Sequence, residues 1–281
     1  MRALAEFVMR GRTHAIGTSM TSAMVPLLSW LSTAVVGLVI LRKGALEGSL
    51  VLLWTLLPLG AILYFSREPD PSSVTALIGT AIMAYVLRVT VSWELTLAIA
   101  VVLSAIGSLV FQYTAADVLV LIVEVFMDYS KQFSVEMTYE AAERQIVGLY
   151  AMGKAYAMLA LLVLARWWQS QLYNPGGFQK EFHEIRIMPV LSSVLVSLML
   201  VCFLFNDQLG AWLPLLTVPL VVSGIALVHW MVSYREMSRN WLTFFYLFLL
   251  FFLQLAYPML AALALVDSYL NIRQRVKTKK V

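Results

Sequence analysis

The chain has 281 residues, a net charge of +4 and a mean hydropathy of +0.82, with 61% hydrophobic and 13% charged residues. Soluble domains carry about 25% charged residues, so this composition excludes a chain that hides its apolar surface in a water-soluble core. The single cysteine, Cys202, excludes an intramolecular disulfide and a paired-thiolate metal site. The positive charge lies mostly in short loops and in the tail, which is typical of an oriented membrane protein and indicates no nucleic-acid partner.

Apolar runs follow one another with short polar breaks, near 14–41, 46–64, 73–92, 94–113, 146–166, 188–206, 211–233 and 240–268. A helix needs about 20 apolar residues to cross the hydrocarbon layer of a bilayer. The chain is therefore predicted to be an all-α, polytopic transmembrane helix bundle of about 8–10 helical segments, forming one domain over residues 1–281 in a lipid bilayer. Charged residues interrupt residues 1–13, so these are expected to form an uncleaved cytoplasmic lead-in helix rather than a signal peptide.

The first and last apolar runs are longer than one crossing requires, and each contains a proline. Pro26 interrupts the first run, and Pro258 follows Tyr257 in the last. Because proline removes a helical hydrogen bond, each run is either one kinked helix or a hairpin of two short helices. The halves of a hairpin would be short for full crossings and would need tilted neighbours or a locally thinner bilayer.

Basic residues favour the two hairpins, because Lys and Arg in short loops accumulate on the cytoplasmic side. In that topology Arg67, Lys131 and Arg144 lie outside, Lys154 lies within a helix, and sixteen basic residues face the cytoplasm: Arg2, Arg10, Arg12, Arg42, Lys43, Arg88, Arg166, Lys180, Arg186, Arg235, Arg239, Arg273, Arg275, Lys277, Lys279 and Lys280. The alternative of eight unbroken helices nearly abolishes this bias. The sequence therefore predicts ten segments in a bacterial inner membrane, with both termini, the 167–187 loop and the basic tail 269–281 in the cytoplasm.

The same topology places residues 114–145 outside the membrane. The acidic residues Asp117, Glu124 and Asp128 follow helical spacing of seven and four in an otherwise apolar stretch. This pattern predicts an amphipathic helix that either lies at the membrane interface or lines the bundle with its acidic stripe.

Lys154 is an ionisable residue well inside an apolar run, LYAMGKAYAML. A charge in that position is costly unless it is paired or faces water. Asp117, Glu124 and Asp128 are its predicted partners and, with it, a candidate ligand-binding site. The alternative is that Lys154 lies about two turns into its helix and extends toward the outer interface.

Two stretches resemble a known family of membrane proteins. Pro26, the short helix STAVVGLVI and the following LRKGALEGSLVLLW resemble the opening of the uncharacterised YybS-like family, and LALVDSYLNIRQR resembles its closing pattern. That family is similar to the substrate-capturing S-components of energy-coupling-factor transporters, whose early helices also end in a basic-Gly-x-x-x-Gly turn, here at Arg42–Gly48. The resemblance implies an S-component-like bundle that works with other membrane subunits. Residues 66–165 match no pattern of the family.

Two further stretches are candidate contacts for partner subunits. Ala15, Ser19 and Ala23 recur every four residues, and small residues at this spacing let helices approach closely. S-components present such a face to their coupling subunit, so the resemblance implies the same use here, whereas packing within the bundle is the alternative. The turn Asn174, Pro175, Gly176, Gly177, Phe178 is either a structural turn or a partner-docking loop.

No enzyme signature is present in the sequence. His14, His183 and His229 are far apart and lack companion ligands at i+4, and no glycine-rich stretch forms a phosphate loop. The sequence therefore predicts no catalytic residue, metal or cofactor. Two functions remain open: a non-enzymatic subunit of a transport complex that binds an unknown small molecule, or a membrane scaffold that binds protein partners and no solute. A solute binder requires a few convergent polar groups in an outward-facing cavity.

Overall fold

Helices make up almost all of the structure. The computed structural model describes residues 2–66 and 70–278, and within these ranges the chain forms helices and no strand. The α-helices are α1 (Arg2–Met9), α2 (Arg12–Met24), α3 (Ser29–Lys43), α4 (Ala45–Phe65), α5 (Ser72–Thr90), α6 (Trp93–Thr114), α7 (Ala116–Gln132), α8 (Tyr139–Tyr173), α9 (Gly177–Glu184), α10 (Pro189–Leu204), α11 (Asn206–Leu209), α12 (Leu213–Tyr234), α13 (Asn240–Phe251), α14 (Leu253–Leu270) and α15 (Ile272–Thr278). Short 3-10 turns lie at Pro26–Leu28 and Gly210–Trp212.

The protein is a polytopic membrane protein, as its composition predicts. Seven helical stretches of the described chain are long and apolar enough to cross a bilayer: Pro26–Lys43, Ala45–Phe65, Ser72–Thr90, Trp93–Thr114, Tyr139–Tyr173, Asn206–Tyr234 and Leu253–Leu270. α9 and α10 together are also long and apolar enough for an eighth crossing, but they are bent by 58° at the break between them, so the pair is either a broken span or a re-entrant loop. The all-α transmembrane bundle is thereby confirmed.

The first long run is a helical hairpin. α2 ends at Met24, and the chain turns through Pro26–Leu28 into α3. Arg12 pairs with Glu47, and the Thr55 hydroxyl donates to Ser19 at 2.8 Å. These contacts join residues 35 and 36 positions apart, so α2 and α4 run parallel. The helix between them in sequence, α3, therefore runs in the opposite direction.

The last long run is also a hairpin, but its break is not at Tyr257–Pro258. The helix is interrupted at Phe252, and Pro258 lies inside α14. Pro258 removes one helical hydrogen bond inside α14, and the helix continues through it. Tyr257 contacts Thr217 at 2.6 Å, and Tyr234 donates to the carbonyl of Val276 at 3.3 Å, so α12 and α14 run parallel. The 12-residue α13 returns the chain between them.

Both ends of the described chain lie at the same end of the bundle, called here the terminal end. Arg273 of α15 donates to the carbonyls of His183 and Ile185, and α1 borders a cleft that includes Leu172 and Tyr173 at the end of α8. The cytoplasmic basic residues of the ten-segment topology lie in elements at this end, except Lys279 and Lys280, which fall outside the described residues, as does Arg67. The opposite end, called the far end, holds the turns at 25–28 and 205–212.

The segment 114–145 contains the predicted amphipathic helix, at the far end. α7 buries Leu119 and Val123 against Ala142 and Val147 of α8. Its three acidic residues are exposed. Of the two alternatives, the structure thus excludes an acidic stripe that lines the bundle in the described chain.

Candidate functional site

Lys154 lies inside the bundle rather than toward lipid. The residue is 7% exposed, and its ammonium donates to the Ser72 carbonyl at 2.7 Å and to the Thr75 hydroxyl at 2.9 Å. It also lies 5.1 Å from the ring centroid of Tyr150. An ammonium has three donors, so one N–H remains without a partner in residues 2–66 and 70–278. The prediction that Lys154 faces the bundle is confirmed.

The partners of Lys154 differ from the predicted ones. Asp117, Glu124 and Asp128 are exposed on α7, and Asp128 pairs instead with Lys131 at 2.9 Å. No carboxylate of the described chain is within ion-pair distance of Lys154, although Asp70 interacts with it electrostatically. The expectation of an acidic partner on α7 is therefore corrected, because the stripe faces away from the bundle. Ligand binding by these four residues stays a prediction.

A cleft of about 360 Å³ opens beside Lys154, between α3, α5 and α8. Its lining combines small, aromatic and polar residues: Ser29, Trp30, Thr33, Ser72, Ser73, Ala76, Tyr150, Gly153, Lys154, Ala157 and Leu161. The volume falls in the range of about 300–1,000 Å³ that is usual for small-molecule sites. The first turns of α3 and α5 border the cleft, which places it in the half of the bundle nearer the far end.

The base of the cleft is polar and its mouth is not. Lys154 and Thr33 are 7% and 3% exposed, whereas Trp30 is 40% exposed and Gly153 and Ala157 are also exposed. The Thr33 hydroxyl has no hydrogen-bond partner among the described residues. Converging polar groups at the base of a largely apolar cleft are the arrangement of a small-molecule site.

Tyr150 lines the cleft on the α8 side, in the part nearest the far end of the bundle. Its hydroxyl lies 2.5 Å from the Ser72 hydroxyl, and its ring stacks on Phe111 of α6 at a centroid distance of 4.2 Å. Asp70 accepts from the Ser72 backbone N–H at 2.9 Å and so fixes the start of α5. These contacts hold the wall of the cleft in place on three helices.

The sequence missed most of this lining, and the reason is physical. Ser72 and Thr75 lie 82 and 79 residues from Lys154 and carry no charge, so neither spacing nor composition links them to it. Ser and Thr within apolar helices usually bond to their own backbone, as Thr75 also does to the Pro71 carbonyl at 2.9 Å. The single available signal was the run Pro71-Ser72-Ser73 at the start of an apolar segment.

The small-residue face of α2 is buried within the chain. Ala15, Ser19 and Ala23 are 1%, 0% and 1% exposed, and α2 packs on α3 and α4. Ser19 accepts from Thr55 in this interface. Ordinary packing, the alternative raised by the sequence, is what the structure contains. The proposed contact with a coupling subunit is corrected, because the close approach that these residues permit is already used by α4.

The turn from Asn174 to Phe178 is firmly anchored. Gly176 has φ of +81°, a conformation that suits glycine. Ser170 donates to the Asn174 carbonyl at 2.7 Å and accepts from the Phe178 N–H at 3.0 Å, while the Phe178 ring packs near Trp93. Asn174, Pro175 and Gly176 are exposed, and Gly177 and Phe178 are half-buried. A structural turn explains these contacts, and partner docking stays a prediction.

A second polar cluster lies at the terminal end. Asp267 is 0% exposed and contacts Arg273 at 3.5 Å and Arg186 at 3.9 Å. Burial lowers the pKa of the Arg273 guanidinium, while Asp267 acts in the opposite direction. Arg186 also donates to the carbonyls of Asp267 and Ser268 at the end of α14. The Asp267 Oδ2 and Arg273 Nε atoms are buried without a hydrogen-bond partner among the described residues, so they meet only through the 3.5 Å ion-pair contact that helps fasten α15 to the bundle.

The described residues contain no group of three His, Cys, Asp or Glu side chains that could hold a metal ion. Comparison of the chain with protein-family models, with curated proteins and with solved structures finds no match.

Proposed function

We propose that the protein is a non-enzymatic membrane subunit that binds a small solute in the Lys154 cleft and works with other subunits of a transport complex. The observation that carries the proposal is the cleft itself, with a buried cation and an unpartnered hydroxyl at its base. A charge is costly inside a membrane protein, and such residues commonly mark solute pathways.

The direction of capture follows from charge. The basic residues gather at the terminal end, which favours a cytoplasmic location for that end. The cleft lies nearer the far end, so the solute would enter from outside the cell. This arrangement, together with the hairpin at Pro26, supports membership of the YybS-like family and an S-component-like role, in which partners supply the energy of transport. A bacterial inner membrane is the corresponding location.

The scaffold alternative has its own support in the turn Asn174–Phe178. Three of its residues are exposed at the terminal end on a fixed backbone, which suits contact with a protein partner. The two functions make different demands on the cleft, because a scaffold has no use for it.

Native mass spectrometry of the purified protein tests solute binding with a matched pair of variants. A Cβ on Gly153 would meet no atom within 4 Å, so Gly153→Leu introduces its side chain at an open position of the cleft lining, where it should obstruct the cleft. Gly60 of α4 is equally open and lies away from the cleft, so Gly60→Leu is the control. Wild type and Gly60→Leu should retain a bound small molecule that Gly153→Leu lacks. Wild type without a bound molecule, or one retained in Gly153→Leu, would refute solute binding in the cleft.

A further inference from the structure

The charged groups at the base of the cleft indicate which class of solute it would bind. Lys154 has no ion-pair partner in the described chain, whereas the other strongly buried cation, Arg273, contacts Asp267. The Lys154 ammonium is held by one carbonyl and one hydroxyl, and the described carboxylate that acts on it, Asp70, does so without an ion-pair contact. A buried charge without a contacting counter-ion is expensive, and an anion that enters the cleft would lower that cost.

Neighbouring groups add to the attraction for an anion. The cleft is bordered by the first turn of α5 and by the beginning of the α3 span, and helix N-termini carry partial positive charge. None of the described residues that line the cleft is a carboxylate, and Asp70 acts on Lys154 from outside this lining. The Thr33 and Ser73 side chains have no hydrogen-bond partner in the described chain, so each can donate to an acceptor on a ligand.

The mouth of the cleft is apolar and would contact the part of the ligand that carries no charge. Trp30, Ala76, Ala157 and Leu161 offer apolar surface, and Gly153 leaves space above Lys154. A ligand whose charge reaches Lys154 would therefore place an apolar body against these residues. A small hydrophilic anion would leave this surface without a contact.

We propose, on the basis of the solute-binding function above, that the ligand of the cleft is an amphipathic organic anion. Its acidic group pairs with the free N–H of Lys154 near Thr33 and Ser73, and its apolar body packs toward Trp30 and Leu161. The acid could belong to a water-soluble carboxylate or to an anionic lipid, since both present the same chemistry to Lys154. The experiment separates these sources.

The test uses pairs of probes that share a carbon skeleton and differ in charge: 1-naphthoate and 1-naphthamide, indole-3-acetate and indole-3-acetamide, octanoate and octanamide. Binding is measured by equilibrium dialysis with the full chain in phosphatidylcholine nanodiscs. At least one acid should bind about 10-fold or more tightly than its amide, as expected for a charge-assisted contact. Equal binding of acid and amide in every pair, or no binding of any probe, would overturn the assignment to an anion.

Variants assign the preference to Lys154. In Lys154→Gln the acid and the amide should bind equally, whereas Lys131→Gln, at an exposed lysine of α7, should keep the wild-type preference. Thr75 also donates to the Pro71 carbonyl, so it retains a hydrogen bond in Lys154→Gln. A preference for the acid that survives in Lys154→Gln refutes the inference but leaves solute binding intact. Binding of all probes to Gly153→Leu at wild-type strength would instead refute the cleft as the site.

A further experiment with an anionic lipid identifies the source of the acid. Phosphatidylglycerol is added to the nanodiscs, and lipid adducts are counted by native mass spectrometry. Displacement of the soluble acid by phosphatidylglycerol, with adducts lost in Lys154→Gln, would assign the anion to a lipid. Unchanged binding of the acid would assign it to a soluble solute. Either result upholds an anionic ligand.

Discussion

Lys154 and Arg273 are both buried cations, but their surroundings are opposite. Arg273 contacts Asp267 and donates to two carbonyls, whereas Lys154, among the described residues, contacts a carbonyl, a hydroxyl and the Tyr150 ring but no carboxylate. A buried ion pair that loses one partner costs about 3–5 kcal/mol, because the other charge stays buried. Removal of a cation that has no ion-pair contact leaves no contacting counter-charge buried, so it should cost less.

This contrast predicts opposite effects on stability. Lys154→Met should leave the unfolding temperature of the ligand-free protein unchanged or raise it, because a costly charge is removed. Arg273→Met should lower the unfolding temperature clearly, since Asp267 would keep its hydrogen bond from the Ile272 N–H but, as an ion pair among the described residues, only the 3.9 Å contact with Arg186. Tryptophan fluorescence during heating in detergent measures both. A large loss of stability in Lys154→Met would indicate that its bonds to Ser72 and Thr75 hold α5 and α8 together.

At the scale of helices, α2 provides a matched test of its small-residue face. Ser19 is fully buried against α4, but a Cβ on Gly17 of the same helix would meet no atom within 4 Å. Ser19→Leu should therefore destabilise the protein by about 1–3 kcal/mol through overpacking, and Gly17→Leu should not. Chemical unfolding in mixed micelles measures the difference. Equal stability of the two variants would contradict the packing of α2 on α4.

α8 offers a second pair on one helix. A Cβ on Gly148 would overlap the backbone of Ala211, whereas Gly153 faces open space. Gly148→Ala should lower stability because the 210–212 turn must move away. Gly153→Ala should raise it by about 0.5–1 kcal/mol, since alanine favours a helix over glycine. Chemical unfolding measures the free energy of unfolding of each variant. A Gly148→Ala variant as stable as the wild type would show that the 210–212 turn is not tightly packed on α8.

Sequence predicted some element boundaries better than others. Pro26 lies at a real turn of the chain. It occupies the first position of a 3-10 turn, where a missing N–H costs no hydrogen bond. Pro258 was misleading, since it lies near the start of a helix that begins at Leu253. The break at Phe252 lies in an aromatic run with no glycine or proline, so local composition gave no sign of it.

Over the whole molecule, the hydrophobic periodicity and the charge bias were enough to predict an all-α bundle and its two hairpins. The cleft could be predicted only in part. Lys154 was recognisable because a charge in an apolar run is rare, but its surroundings come from α3 and α5, and only tertiary packing brings these helices together. The acidic stripe of α7 was assigned to Lys154 because sequence reveals helical spacing and not the direction in which a helix faces.

The orientation of the bundle predicts the outcome of cysteine labelling. Glu136, which precedes α8, and Lys180, in α9 after it, are both exposed, while Cys202 is buried. In a Cys202→Ser background, a membrane-impermeant maleimide should modify Glu136→Cys in intact spheroplasts and Lys180→Cys only after permeabilisation. The physical reason is that Lys and Arg accumulate on the cytoplasmic side, so we expect the basic terminal end to stay in the cytoplasm. The reverse labelling pattern would invert the topology and place the cleft nearer the cytoplasm.

The shortness of α13 has a consequence for the surrounding lipids. Its 12 residues span about 18 Å, against about 30 Å of hydrocarbon, and none of them is buried in the protein. Where α13 crosses the bilayer, the lipid tails along that side would have to shorten or tilt to match it, which costs a fraction of a kcal/mol for each ångström of mismatch. Two copies that share one compressed patch of bilayer distort fewer lipids than two copies far apart. The membrane itself would thus draw molecules of this protein together through the α13 side, without any direct contact between them.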